Sequence, residues 1–79
     1  MKAKAIVGDV IISLPVEYLD QQTCCNSVFE NVPIESVDVS ALIEANRTIG
    51  VSWYKKYVIG EDRQALHVSV PTELIKWEE

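Results

Sequence analysis

Two short runs near the C-terminus, each apolar at alternate residues, restrict this chain more than any other feature. They lie in GVSWYKKYVIGEDRQALHVSV, Gly50 to Val70. Val51, Trp53, Tyr57 and Ile59 fall on one side of a period-two strand, and Leu66, Val68 and Val70 on one side of a second. The polar break between them, Gly60-Glu61-Asp62-Arg63-Gln64, carries a glycine suited to a turn. Alternation, turn chemistry and alternation again predict a β-hairpin whose dry side forms a floor that the rest of the chain must cover.

At 79 residues the chain predicts a single domain, 1–79. A domain of this size buries only about 60% of its unfolded surface, so its stability margin is thin. Small folds often add a staple. Here the two cysteines are neighbours, Cys24-Cys25, and a bond between them would restrain no long loop. Packing or self-association is left to hold the fold. The net charge of −5 opposes binding to phosphate backbones and makes nucleic acid a disfavoured partner. It suits solubility, a basic protein partner, or mimicry of a nucleic acid. Asp9 interrupts the N-terminal apolar run, so no signal peptide is expected. No stretch reaches membrane-spanning length. With free cysteines, these features predict a cytoplasmic protein.

Along the chain, Lys2 to Leu14 reads as one long strand bent at Gly8-Asp9, where the apolar positions change parity. Two short strands joined by a tight turn are the alternative. Pro15 suits the first position of a helix and Glu17 its first turn, which predicts a helix from Pro15 to about Asn26. Tyr18, Leu19, Cys25 and Phe29 would be its apolar stripe, with the thiols buried as small apolar groups. Asn31, Pro33 and Ser36 mark a connection. Val37 and Asp38 read as hydrophobic staple and N-cap of a second helix, Val39 to about Arg47, with Leu42 as the staple's partner. Ser13-Leu14-Pro15-Val16-Glu17-Tyr18-Leu19 is echoed by Ser69-Val70-Pro71-Thr72-Glu73-Leu74-Ile75: a strand stopped by proline, then a helical turn. The expected fold is α+β in the order β-α-α-β-β, an antiparallel sheet of about three strands covered on one face by one or two short helices.

Val10 to Leu19 followed by a helical segment over Asp38 to Arg47 resembles the opening of ribbon-helix-helix DNA-binding chains. That resemblance implies a dimeric DNA-binding regulator whose strand reads bases. The outward strand positions here, Ile11 and Ser13 or Val10 and Ile12, cannot make bidentate contacts to base edges.

Candidate sites are sparse. His67 is the single histidine and falls on the face opposite Leu66, Val68 and Val70. A catalytic histidine needs a positioned nucleophile and an orienting group, and no motif supplies them. Cys24-Cys25 and His67 lack metal-ligand spacing, because adjacent residues on a helix point about 100° apart. No metal or cofactor is expected. Trp53, Tyr54, Lys55, Lys56 and Tyr57 form a cationic aromatic patch. Alternation sends Trp53 and Tyr57 inward and Tyr54 and Lys56 outward, with Lys55 at a sheet edge. Trp77 is either docked on the sheet or offered to a partner. The binding residues expected are Tyr54, Lys56, His67 and Trp77. The function expected is that of a small, acidic, non-enzymatic interaction protein. It would act as inhibitor, adaptor or regulator of a larger protein, in the manner of phage or mobile-element accessory proteins. A small enzyme using His67 is the alternative carried beside the DNA-binding one, and among partners a second copy closing the hairpin edge as a homodimer is left open.

Overall fold

The computed structural model describes residues 2–49 and 53–78. It holds seven strands in two antiparallel sheets and a single α-helix among the described residues, which overturns the three-stranded β-α-α-β-β expectation. The smaller sheet has the order β2-β1-β7, from Val10–Leu14, Lys2–Val7 and Ile75–Glu78. The larger has the order β3-β4-β6-β5, from Leu19–Gln22, Asn26–Pro33, Arg63–Pro71 and Tyr54–Ile59.

The long bent strand expected over Lys2 to Leu14 is instead a hairpin. Val7 pairs with Val10 across Gly8-Asp9. Gly8 has φ +59 and Asp9 does not share the positive φ, the pattern of a type II′ turn with glycine first. The change of parity in the sequence therefore marked a reversal of the chain, not a bulge.

The helix expected from Pro15 is a single 3-10 turn, Val16–Tyr18, after which the chain is extended as β3. The echoed segment behaves alike: β6 ends at Pro71, Thr72–Leu74 make a 3-10 turn, and β7 comes next. Proline ends the ladder because it has no N–H to donate, and the short turn redirects the chain. Each corner carries the chain from one sheet to the other. With β1 pairing to β2 and β7, and β4 pairing to β3 and β6, the two separate sheets and the two corners together form a ring. This is sheet packing in which strands switch sheets through bends at corners. A strand-helix-helix unit of the ribbon-helix-helix kind is thereby excluded from the described residues. A third turn of the same kind, Ile34–Ser36 after Pro33, leads toward the helix.

Helix α1, Val39–Ile49, begins as its sequence predicts. Asp38 Oδ1 accepts the N–H of Ala41 at 3.3 Å, and Val37 and Leu42 are both buried. The helix packs on β2 and β1 and closes the open side of the ring. The core inside unites Ala3, Ala5, Ile12 and Leu14 of the smaller sheet with Phe29, Val32, Leu66, Val68 and Val70 of the larger, capped by Leu42 and Ala45. Register explains the two alanines. Ala3 lies between Leu14 and Trp77, and Ala5 between Ile12 and Ile75, so small residues on the central strand face large ones on both neighbours.

The C-terminal hairpin is present as β5 and β6, paired from Tyr54↔Val68 to Ile59↔Arg63. Val51, assigned to its dry side, and Gly50, assigned to the helix end, lie outside the described residues. The facing of the aromatics is corrected. The strand begins after Trp53, so the alternation does not reach back to it. Trp53 is buried in the core, its backbone N–H donating to Asn46 Oδ1 at 3.0 Å. Tyr54 lies opposite Val68 and packs against the core, while Tyr57 faces outward with His67. The thiols expected to be buried are both exposed, since Cys24 and Cys25 occupy the β3–β4 tip.

Candidate functional site

The outer face of the larger sheet concentrates the polar chemistry. Its geometry starts from a β-bulge. Phe29 pairs with Val68 and Val32 with Leu66, so Glu30 and Asn31 together oppose His67. Asn31 takes φ 57, a left-handed conformation that asparagine tolerates better than most residues. A bulge re-aims side chains. Here Glu30 Oε1 meets His67 Nδ1 in a part-exposed contact. On the other side of β6, His67 lies opposite Lys55. His67 thus sits between an acid and a base on an open face.

Tyr57 lies opposite Ala65, and its hydroxyl reaches Asn31 on β4. The ring must therefore cross over β6. Ala65, on the outward side of the strand, is fully buried. The tyrosine acts as a local roof.

Beside this network lies a groove of about 610 Å³. Tyr18, Pro33, Ile34 and Ile59 supply its apolar and aromatic surface. Glu35, Asp62 and Arg63 supply charge, two carboxylates against one guanidinium. Tyr18 and Glu35 are brought there by 3-10 turns and Asp62 by the β5–β6 tip. The acids come from several elements. Glu30 and Glu78 belong to different sheets, Glu44 to the helix and Glu73 to the second corner.

The four residues expected to bind are not brought together. His67 is on the outer face of the larger sheet. Tyr54 is on its inner side, packed against the core. Lys56 shares that side by register but stands exposed at the edge, because β5 has no neighbour beyond it among the described residues. Trp77 is on the smaller sheet, half-buried against the core. Sequence reading missed Glu30, Asn31, Glu35 and Asp62, and turned Tyr57 of the aromatic patch inward. An asparagine interrupting an alternating run was the one local sign of the bulge. The Glu30–His67 and Tyr57–Asn31 pairings are long-range and left no local trace.

No group of three or more His, Cys, Asp or Glu side chains able to hold a metal ion occurs among the described residues. No described helix is long and apolar enough to cross a membrane. Compared with protein-family models, with curated proteins and with solved structures, the chain matches none.

Proposed function

We propose that this chain is a small binding protein that captures a cationic segment of a larger protein, seating an arginine or lysine of that partner in the Glu35–Asp62 groove. The groove is the observation that carries the reading. Its Tyr18, Pro33 and Ile34 surface suits the stem or plane of a long basic side chain, and its two carboxylates suit the charged head. A buried arginine or aromatic anchor in a pocket, surrounded by polar contacts that exclude water, is how most interfaces concentrate their affinity. The neighbouring Tyr57, Asn31, Glu30 and His67 would supply the polar contacts. The net charge of −5 steers a basic partner toward the protein. Inhibition, adaptation or regulation of that partner would result from occupying its surface.

The test compares the wild-type chain with the Glu35→Lys/Asp62→Lys variant as bait, and then titrates the purified partner against both. The expected result is a partner whose affinity falls at least tenfold in the variant and whose own basic residue, changed to alanine, gives the same loss. A partner held equally by both baits would overturn the groove as the docking site.

A second reading, a small enzyme using His67 as base, draws on the Glu30–His67 pair, which would orient the imidazole. It is weaker because His67 does not line the groove, and a sheet face open to water offers a reacting group little exclusion of solvent. An activity whose pH–rate profile is unchanged in His67→Ala would dispose of it.

A further inference from the structure

We infer that Cys24 and Cys25 form a preorganised dithiol site for a thiophilic centre that needs only two protein sulfurs, the chemical class of a monosubstituted trivalent arsenical. The two Sγ atoms stand 3.6 Å apart and both residues are exposed. Helical spacing does not splay the two thiols, because the cysteines sit on a hairpin tip.

The tip is held from both sides. Thr23 N–H donates to the Asn26 carbonyl at 2.8 Å, and Thr23 Oγ1 accepts from the N–H groups of Cys25 and Asn26 at 3.2 and 3.0 Å. Thr72, at the second proline corner, reaches across from a distant part of the chain. Its hydroxyl donates to the Thr23 carbonyl at 2.8 Å and its N–H to the Cys25 carbonyl at 3.1 Å. The backbone flanking the thiols is therefore anchored to the fold on both sides.

The separation selects the chemistry. Consecutive Cα atoms are about 3.8 Å apart, below the roughly 4.4 Å at which ordinary disulfides begin. Direct S–S bonding would strain the tip. A bridging atom with two bonds of about 2.3 Å, the length of a zinc–thiolate bond, holds its sulfurs roughly 3.4 Å apart at a pyramidal angle near 95° and roughly 3.7 Å apart at the tetrahedral angle, a range that includes the pair's own separation. Four-coordinate zinc wants four ligands, and no third His, Cys, Asp or Glu joins the pair among the described residues. A trivalent arsenical completes its coordination with two sulfurs and its own carbon. The step is a condensation without redox change. Two As–S bonds form, the As=O bond breaks, and the two thiol protons leave with the oxygen as water.

Phenylarsine oxide is the probe, added to the reduced full chain, with binding followed by native mass spectrometry and titration of the remaining free thiols. The expected result is a one-to-one adduct that consumes both thiols. Cys24→Ser and Cys25→Ser should each weaken binding at least a hundredfold. Thr72→Ala should weaken it roughly tenfold through loss of preorganisation, and Thr72→Ser should restore it. Equal affinity in either single serine variant would overturn the site. So would equal affinity of the folded chain and the chain unfolded in urea, because the fold would then contribute nothing.

Discussion

Tyr57 and Asn31 exchange two hydrogen bonds across an intervening strand. The Tyr57 hydroxyl donates to Asn31 Oδ1 at 2.6 Å and accepts the backbone N–H of Asn31 at 2.8 Å. One phenol thus satisfies both the side chain and the backbone of a residue held at φ 57, and the pair braces the bulge that aims Glu30 at His67. Local conformation, sheet register and the candidate surface meet in this contact.

Removing the hydroxyl with Tyr57→Phe is expected to cost about 0.5–1.5 kcal/mol, because water can replace it at an exposed site. Asn31→Ala adds the strain of alanine in the left-handed region, about 1–2 kcal/mol more. Asn31→Gly relieves that strain and should be milder than the alanine variant. Urea midpoints of the single and double variants check this. A double-mutant cycle should show coupling of at least about 0.5 kcal/mol, and strict additivity would mean the contact does not brace the bulge.

The hydroxyls of Ser27 and Thr72 lie 2.9 Å apart, and Ser27 is fully buried. Thr72 donates its single hydroxyl proton to the Thr23 carbonyl, so Ser27 must donate to Thr72. Thr72→Val orphans a buried donor and should cost about 1–3 kcal/mol. Ser27→Ala should cost less, and the double variant less than the sum of the two. Chemical denaturation of the three variants decides it.

Stability should also depend on acid through Glu78. A hydrogen bond from Lys4 at 2.9 Å, then the charge of Lys4, and then those of Lys76 and Lys2, hold its carboxyl below the usual glutamate range. A depressed folded value means the stabilisation is present above the unfolded pKa of about 4.3. It fades as pH falls through the lowered folded value. Glu78→Gln should therefore flatten the acid limb of the urea-midpoint profile. The difference should shrink in high salt, as befits an exposed pair. An identical profile in the variant would refute the assignment.

Asp38→Ala is expected to cost about 1 kcal/mol by removing the cap at the start of α1, while Asp38→Asn should cost only a few tenths. Thermal unfolding followed by circular dichroism distinguishes the two.

The elements legible in the chain are those whose signals are local. Val37, Asp38 and Leu42 announced the start of α1 because a cap and staple are complete within six residues. The hairpin was visible because the alternation flanks its own turn. The facing of its aromatics was not, since alternation changes sides with a one-residue error in where a strand begins, and the strand starts at Tyr54. His67 was placed on the correct face, but its partner Glu30 was hidden behind a bulge.

The residues alone dictate where the chain can turn. Pro15, Pro33 and Pro71 each stop a strand and open a helical turn, because a missing N–H and a preset φ act within a few residues. The course of the chain beyond each turn is set instead by contacts between distant segments. After Pro15 the chain becomes β3 because β4 is there to pair with it, and after Pro71 it becomes β7 because β1 is. After Pro33 it goes on to α1, whose Leu42 and Ala45 complete the core inside the ring. A first turn is alike in all three cases. The hydrogen-bonding partner or buried face that extends it lies elsewhere in the chain, and only folding brings it within reach.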